Sequence, residues 1–173
     1  MKVSLVIPVY NESGHLLEFL KQVDALRFDG VQKELVIIDD CSKDESAKIL
    51  RTYKFSSEVQ LHFQEANAGK GAAIRKGFEL ATGDIIGVQD ADFEYSLDDL
   101  PSIVMPIVEG KADVVFGSRF KANVVQVHRT FHYLVNRFLT TFSNLFSGLY
   151  LTDMETCYKF FKADVIKNIN LES

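Results

Sequence analysis

Short apolar runs alternate along this chain with longer segments whose apolar residues recur every three or four positions. The short runs predict strands, of which the third is the weakest, at residues 3–7, 34–38, 59–63, 84–88, 113–116 and 157–161. Consecutive apolar residues rich in Val and Ile are typical of strands in a parallel sheet that is covered on both faces.

The segments between these runs predict helices. The first follows residue 12, where leucine and valine recur at helical spacing, and Asn11 or Ser13 is its expected N-cap. Further helices are predicted at residues 45–53, 70–81, 98–109 and 129–146. Strands that alternate with helices of this length predict an α/β fold with a mostly parallel central sheet flanked by helices.

The length and composition of the chain predict that residues 1–173 form a single domain. The chain is 47% hydrophobic and 25% charged, which excludes a disordered tail, a collagen-like repeat and a disulfide scaffold. Cys41 and Cys157 lie far apart, and no run approaches the roughly 18–20 apolar residues that span a bilayer. The first ten residues lack the pattern of a secretory signal. These features predict a reduced, cytoplasmic protein.

Charge is distributed unevenly along the chain. The net charge of −5 makes nucleic acid a poor candidate partner. Residues 90–99 hold five carboxylates, whereas residues 114–152 hold none and carry arginine, lysine and histidine. One segment can therefore bind cations and another anions, although each charge taken alone fits an ordinary solvated surface equally well.

Polar residues follow four of the predicted strands, at residues 8–12, 39–40, 89–94 and 117–119. In parallel α/β sheets, ligands bind at the carboxyl ends of the strands. We therefore expect these four clusters to outline one site.

The acidic cluster is the strongest indication of chemistry. Asp90 and Asp92 flank one small residue directly after a strand, and Glu94 follows. Carboxylates at this spacing can share a divalent cation, and hard oxygen ligands suit Mg²⁺ or Mn²⁺ with a substrate diphosphate completing the coordination. The alternative is a solvated acidic turn that precedes the next helix.

Two further residues indicate a nucleotide. Asp39 ends the second strand, where an acid can accept a hydrogen bond from a base N–H or a ribose hydroxyl; the alternative is an Asx turn that leads into a helix. Lys70 lies in the glycine-containing segment 67–72 at the start of a predicted helix, where it could meet a phosphate. The segment lacks the spacing of a P-loop, so its glycines could instead let the helix approach the sheet.

The cationic segment also contains many aromatic residues. Arg119, His128 and Arg129 offer donors suited to phosphate oxygens. Seven aromatic side chains lie between residues 119 and 152, which indicates an amphipathic surface beside a lipid head group. The alternative is a core-facing helix that uses phenylalanine as filler.

Six motifs in order carry a resemblance to a known family: V-I-P-V-Y-N-E, E-L-V-I-I-D-D-C-S-K-D, N-x-G-K-G-A-A, Q-D-A-D-F-E-Y, F-G-S-R-F and L-T-D-M-E-T-C-Y-K. They extend from about residue 3 to residue 162. The sequence resembles family 2 glycosyltransferases of the GT-A fold, and within them the polyprenyl-phosphate branch that includes dolichol-phosphate mannose synthase.

The resemblance implies a role for each matching residue. Together with Lys70, the donor-binding residues would be Pro8, Tyr10, Glu12, Asp39, Asp90 and Ala91. The metal ligands would be Asp90, Asp92 and Glu94, the last at a position where relatives often carry Gln. The acceptor-binding residues would be Ser118, Arg119 and Arg129, and His128 joins them as a donor of the cationic segment. The catalytic residues would be Arg119, which positions the acceptor phosphate, and Asp153, at the position of the catalytic base.

The implied reaction is a metal-dependent, inverting transfer of a hexose from a nucleotide diphosphate sugar, of the UDP-glucose or GDP-mannose type, to a polyprenyl phosphate at the inner face of the membrane. One alternative is transfer to a hydroxyl acceptor such as a glycan, with Asp153 as base. Others are a sugar nucleotidyltransferase and a nucleotide-binding protein without transferase activity. Members of this branch continue beyond the catalytic domain, so we expect residues 1–173 to lack a C-terminal membrane-associated extension.

Overall fold

The structure is a computed structural model that describes residues 1–93, 96–118 and 130–171. Its strands are β1 Lys2–Val9, β2 Gln32–Asp39, β3 Glu58–Phe63, β4 Ile85–Val88, β5 Val114–Phe116 and β6 Lys159–Lys162. Its helices are α1 Leu16–Ala25, α2 Ser46–Thr52, α3 Lys70–Leu80, α4 Leu100–Val108, α5 Thr130–Ser147 and α6 Ala163–Lys167, with a 3-10 turn at Leu97–Asp99. Each predicted strand and helix is present close to its predicted bounds, and α6 is an addition.

The six strands form one sheet in the order β3-β2-β1-β4-β6-β5. β1 pairs in parallel with β2 on one side and with β4 on the other, and β2 pairs in parallel with β3. β6 runs antiparallel to both of its neighbours. The predicted α/β fold with a mostly parallel sheet is confirmed. The strand order switches beside β1, and ligands bind at such switch points.

Helices cover both faces of the sheet, which explains why its strands are apolar at consecutive positions. α1, α2 and α4 pack on one face around Leu5 and Ile7 of β1. α3 and α6 pack on the other face around Val6 and Val36. Gly77 of α3 lies against Val6, and a Cβ at this glycine would overlap the valine side chain. A residue without a side chain therefore lets α3 approach the sheet.

A buried acid ties the amino-end half of the sheet together. Glu34 of β2 is fully buried, and its carboxylate accepts hydrogen bonds from Ser4 of β1 and Gln60 of β3. It also accepts hydrogen bonds from the N–H and the hydroxyl of Thr82, before β4. Burial alone would raise the pKa of Glu34, but these hydrogen bonds outweigh burial and hold its pKa below the ordinary value.

Candidate active site

The carboxyl ends of β1 and β4 and the start of α3 border a cavity of about 310 Å³, called here the strand-end cavity. Seven of the residues predicted to bind the donor or the metal line it: Pro8, Tyr10, Glu12, Lys70, Asp90, Ala91 and Asp92. Asp40, Asn67 and Gly69 line it as well; they lie in the predicted cluster 39–40 and in the segment 67–72, but the sequence assigned none of them a role of its own. Three of the four predicted polar clusters therefore contribute to one cavity.

The loop between β1 and α1 places Glu12. Asn11 has a φ of 57°, and its Oδ1 accepts a 2.8 Å hydrogen bond from a backbone N–H of the loop after β2. The N–H of Ser13 donates to Asp44 in the same loop. The prediction that Asn11 or Ser13 caps the first helix is wrong, because both residues bond to the neighbouring loop and α1 begins only at Leu16. The loop is thus fixed against the β2 end of the cavity.

Negative charge is concentrated around Glu12. Burial raises the pKa of Glu12, whereas His15, whose Nε2 lies 3.0 Å from Glu12 Oε2, lowers it. Three further carboxylates raise this pKa: Asp92, Asp44 and Asp90. A cation bound among these carboxylates would relieve their mutual repulsion, so the cavity suits a positively charged group or a metal ion.

Lys70 balances the charge of Asp90. Its Nζ lies 2.7 Å from Oδ1 and 2.8 Å from Oδ2 of that carboxylate. Lys70 is the first residue of α3, and Gly69 before it has a φ of 89°, a conformation that glycine adopts readily. Asp40 holds this turn, because it accepts hydrogen bonds of 2.8 Å from the N–H groups of Ala68 and Gly69. A phosphate in the cavity would therefore meet an ammonium group on a well-anchored turn.

Asp39 has one carboxylate oxygen without a described partner. The residue is 2% exposed, and its Oδ2 accepts a 3.1 Å hydrogen bond from the N–H of Ser42. Its Oδ1 is buried, and none of the described groups donates a hydrogen bond to it. Leaving a buried acceptor unsatisfied is costly, so this position suits a ligand N–H or hydroxyl. One oxygen holds the turn, and the other is buried without a described donor; Asp39 itself is not among the described residues that line the strand-end cavity.

Gln89 is a buried polar residue of the predicted cluster 89–94, to which the sequence assigned no role of its own; it is not among the described residues that line the strand-end cavity. It follows β4 and is fully buried, and its Nε2 donates a 2.8 Å hydrogen bond to the backbone oxygen of Asp90. Its Oε1 receives no hydrogen bond from the part of the chain that the structure describes. The sequence signal for it is a single amide side chain at the end of the apolar run 84–88.

The residues of the cavity fit a metal ion that is held jointly with a substrate. Asp90 and Asp92 supply carboxylate oxygens, and Mg²⁺ is commonly bound by one or two carboxylates together with substrate phosphates. No group of three or more His, Cys, Asp or Glu side chains within residues 1–93, 96–118 and 130–171 is arranged to hold a metal ion by itself. Glu94, the third predicted ligand, lies outside the described residues.

The predicted acceptor-binding and catalytic residues belong to a different part of the chain. Three of them lie outside the described residues: Arg119, His128 and Arg129. Ser118 follows β5 and accepts a 3.0 Å hydrogen bond from the hydroxyl of Thr152. Asp153 is 1% exposed, and its Oδ1 accepts a 3.0 Å hydrogen bond from Nδ2 of Asn136 on α5. Ser118 and Asp153 are not among the described residues that line the strand-end cavity.

A second cavity, of about 600 Å³, lies between α5 and residues 150–152 and is called here the α5 cavity. The polar side chains that α5 contributes are Tyr133, Arg137, Thr140, Thr141 and Asn144. Asn144 fixes the opposite wall, because its side chain accepts a hydrogen bond from the N–H of Leu151 and donates one to its carbonyl oxygen. Arg137 is not among the predicted site residues.

The outer face of α5 is apolar and exposed. Phe138, Phe142 and Phe146 are 68%, 54% and 73% exposed. The interpretation of the segment as a core-facing helix filled with phenylalanine is wrong for these three residues, because they point away from the core. In the part of the chain that the structure describes, no helix combines the length and the apolar character that crossing a membrane requires.

The sequence matches one family model and several curated proteins. Residues 4–169 match the model described as Glycosyl transferase family 2. Over 80% of the chain, the sequence is 37% identical to undecaprenyl-phosphate 4-deoxy-4-formamido-L-arabinose transferase of Klebsiella pneumoniae. Over 69% of the chain, it is 32% identical to dolichol-phosphate mannosyltransferase of Pyrococcus furiosus. The chain spans 43% and 34% of the lengths of these two relatives.

The fold is similar to that of a solved glycosyltransferase. Glucosyl-3-phosphoglycerate synthase from Mycobacterium tuberculosis, in complex with Mn²⁺, UDP-glucose and glycerol 3-phosphate, matches with a TM-score of 0.72 at 20% identity. The match covers 97% of this chain and 59% of that one. The architecture is that of the GT-A fold, as the sequence motifs imply.

Proposed function

Since the chain belongs to glycosyl transferase family 2, we propose that it transfers a hexose from a nucleotide diphosphate sugar, of the UDP-glucose or GDP-mannose type, to a polyprenyl phosphate. The transfer is metal-dependent and inverts the anomeric centre. Two relatives support a lipid phosphate as the acceptor, since their names specify undecaprenyl phosphate and dolichol phosphate. The reaction takes place at the cytoplasmic face of the membrane, where a water-soluble donor and a lipid acceptor can meet.

The observation that carries this proposal is the set of polar groups at the strand-end cavity. A nucleotide diphosphate sugar needs an acceptor for its base or ribose, and a cation for its diphosphate. Lys70, which lines the cavity, offers an ammonium group. Asp39 is not among the described residues that line the cavity, but it precedes the lining residue Asp40 and offers a buried oxygen without a described hydrogen-bond donor. When the donor binds, the ammonium group of Lys70 would leave Asp90 and pair with a diphosphate oxygen instead. The carboxylate of Asp90 could then bind a metal ion.

Asp90 and Asp92 would hold Mg²⁺ or Mn²⁺, with Glu94 as a third candidate ligand. When bound, the ion offsets the negative charge that develops on the leaving diphosphate. The pKa of Glu12 is raised by burial and by the nearby carboxylates of Asp92 and Asp90. This repulsion supports a site in which a cation binds next to these acids. Gln89 fixes the backbone of Asp90 and so orients the first acid of the pair.

The acceptor phosphate attacks the anomeric carbon on the side opposite the leaving diphosphate. A phosphate is already anionic near neutral pH, so this reaction needs no strong base. Ser118, Arg119, His128 and Arg129 are proposed to bind and position that phosphate. Asp153 is the candidate base only if the acceptor is a hydroxyl group, and that hydroxyl would have to come within hydrogen-bond distance of the Asp153 carboxylate. Its burial and its hydrogen bond from Asn136 support the phosphate acceptor instead.

A thermal-shift panel tests the donor half of the proposal. The protein is melted with UDP-glucose, GDP-mannose and other nucleotide sugars, each with and without Mn²⁺. A ligand that binds only the folded state raises the melting temperature. We expect one donor to raise it in a metal-dependent manner. The absence of any metal-dependent shift would contradict the proposal.

A transfer assay tests the acceptor half. The donor identified by melting is incubated with undecaprenyl phosphate and, separately, with a glycan that offers only hydroxyl groups. We expect glycosyl transfer to the lipid phosphate and little loss of it in Asp153→Ala. Transfer to the glycan alone, abolished by Asp153→Ala, would instead establish a hydroxyl-acceptor enzyme.

A further inference from the structure

His15 contacts a residue of the strand-end cavity without being among the described residues that line it. It lies outside the six motifs that carry the family resemblance. Its backbone is fixed on both sides, because its N–H donates a 3.2 Å hydrogen bond to the carbonyl oxygen of Glu12 and its own carbonyl oxygen accepts a 3.0 Å hydrogen bond from the N–H of Phe19. The turn before α1 therefore brings the side chains of His15 and Glu12 together.

The imidazole ring of His15 also packs against Phe93, the residue after Asp92. The centroids of the two rings are 6.0 Å apart. Phe93 packs in turn against the fully buried Phe19 of α1, in an edge-to-face geometry with a centroid separation of 6.3 Å. Aromatic pairs favour such separations and orientations. These contacts restrict the rotation of the imidazole ring, which connects the loop between β1 and α1 to the loop that carries Asp92.

The Nε2 atom of His15 is directed at Glu12. This nitrogen is buried from solvent, and it lies 3.0 Å from Oε2 of the carboxylate. When Nε2 carries its hydrogen, it donates a charge-assisted hydrogen bond to that oxygen. In the part of the chain that the structure describes, no other side chain forms a hydrogen bond or an ion pair with the Glu12 carboxylate. Three acids repel it, namely Asp92, Asp44 and Asp90. Without His15, this repulsion would favour rotation of the Glu12 side chain away from them.

We propose that His15 is a positioning residue of the donor site, whose Nε2 holds the Glu12 carboxylate in the orientation that a bound nucleotide diphosphate meets. The proposal rests on the proposed function, in which the donor binds in the strand-end cavity. Glu12 contacts the donor, and His15 acts through Glu12. A residue that merely stabilises the loop changes the melting temperature, whereas a positioning residue changes the affinity of the folded protein for its ligand.

Two amide side chains at position 15 test the role of the hydrogen bond. The Nε2 of a glutamine can take the place of the imidazole Nε2, because both nitrogens are the same number of bonds from Cα, whereas the amide of an asparagine is one bond too short. Calorimetric titration measures the affinity for UDP and for GDP in the presence of Mn²⁺. We expect His15→Gln to bind the preferred nucleotide as the wild type does. His15→Asn should bind it about tenfold more weakly.

A double-mutant cycle tests whether His15 acts through Glu12. In the background of Glu12→Ala, His15→Asn should cause no further loss of affinity, because the carboxylate that His15 positions is absent. His62→Gln is the matched control, since it replaces a partly buried imidazole on β3 that is not among the described residues lining the cavity. This variant should bind nucleotide as the wild type does.

Three results would overturn the inference. They are wild-type affinity in His15→Asn, binding by His15→Gln that is as weak as that of His15→Asn, and a further loss of affinity from His15→Asn in the Glu12→Ala background. Thermal melting is recorded in parallel, and a lower melting temperature with unchanged affinity would assign His15 a structural role alone. If the wild type binds a nucleotide and any of these results is found, the inference fails and the proposed function stands. If the wild type binds neither UDP nor GDP, the proposed function fails and the inference fails with it.

Discussion

The two ends of strand β2 carry buried acids with opposite surroundings. Glu34, near the amino end, is fully buried and accepts hydrogen bonds from Ser4, Gln60 and Thr82. Asp39, at the carboxyl end, is also buried, yet its Oδ1 receives no hydrogen bond from the described residues. At one end of the strand, both carboxylate oxygens therefore accept hydrogen bonds, whereas at the other end one of the two has no described donor.

The pKa values of two acids, Glu34 at the amino end of the sheet and Glu12 at the carboxyl end, shift in opposite directions. Burial opposes ionisation of Glu34, but its hydrogen bonds lower its pKa and keep it charged. Burial also dominates at Glu12, beside the carboxyl end of β1, and there neighbouring acids add to it and raise the pKa further. Hydrogen bonds within the protein thus stabilise the charged form of Glu34 at the amino end of the sheet. At the carboxyl end, the raised pKa of Glu12 indicates a site where a bound cation would stabilise the charged form.

The largest effect is expected from the acid pair. Asp92→Asn should lower the rate of hexose transfer by about a thousandfold, because it removes a proposed ligand of the ion that stabilises the leaving group. Asp98→Asn, an exposed acid of the same acidic stretch, is the control and should leave the rate unchanged. Equal rates for the two variants, in an assay with labelled donor, would contradict the metal site.

The next largest effect is expected on stability, from a substitution of the satisfied acid near the amino end of β2. Glu34→Gln should lower the free energy of unfolding by about 2–3 kcal/mol, since it disrupts several hydrogen bonds to a buried charge. Glu58→Gln, an exposed acid on β3, should change it by less than about 0.5 kcal/mol. Urea denaturation measures both. The nucleotide melting shift should survive in Glu34→Gln, and its loss would show that the two ends are not separate in role.

A smaller effect comes from the carboxyl end of the same strand. Asp39→Asn should weaken binding of the nucleoside diphosphate about tenfold, because an amide N–H would face the N–H or hydroxyl of the ligand. Its stability should equal or exceed that of the wild type, since the variant removes a buried carboxylate of which one oxygen has no described donor. Calorimetric titration measures the affinity, with the exposed Asp29→Asn as control. A marked loss of stability without loss of affinity would assign Asp39 a structural role.

The smallest effect is the dependence of stability on pH. The pKa of Glu34 is lowered in the folded state, so its contribution is present above the unfolded-state value and is lost as the pH falls through the folded-state value. The difference in unfolding free energy between wild type and Glu34→Gln should therefore shrink as the pH falls below about 4.5. Urea denaturation from neutral to acidic pH checks this. A constant difference would show that the charge of Glu34 does not matter.

Much of the fold could be predicted because buried parallel strands have a distinct sequence pattern. The runs at residues 3–7, 34–38 and 84–88 are apolar apart from Ser4, Glu34 and Asp84, and most of their partners in the sheet are apolar too. The antiparallel direction of β6 could not be predicted, since strand direction depends on which neighbour a strand pairs with. The N-cap of α1 was predicted wrongly because Asn11 and Ser13 bond to a loop that is distant in sequence.

The candidate site could be predicted to the level of residue types and strand ends. Asp90, Asp92 and Lys70 are visible as charged residues beside apolar runs, and the structure places them on one cavity. The unpartnered Oδ1 of Asp39 could not be predicted, because it depends on which donors the fold brings near. His15 was not predicted as a site residue, since its significance comes from the contact with Glu12 that the turn before α1 creates.

The central claim is that the acids at the carboxyl ends of the strands bind a metal ion together with a nucleotide. Electron paramagnetic resonance of free Mn²⁺ tests it directly, by titration of the ion into protein with and without the nucleoside diphosphate of the preferred donor. We predict that the nucleotide tightens Mn²⁺ binding about tenfold or more and that Asp90→Asn combined with Asp92→Asn abolishes this gain. Mn²⁺ binding that is the same with and without nucleotide, or that persists in the double variant, would contradict the account.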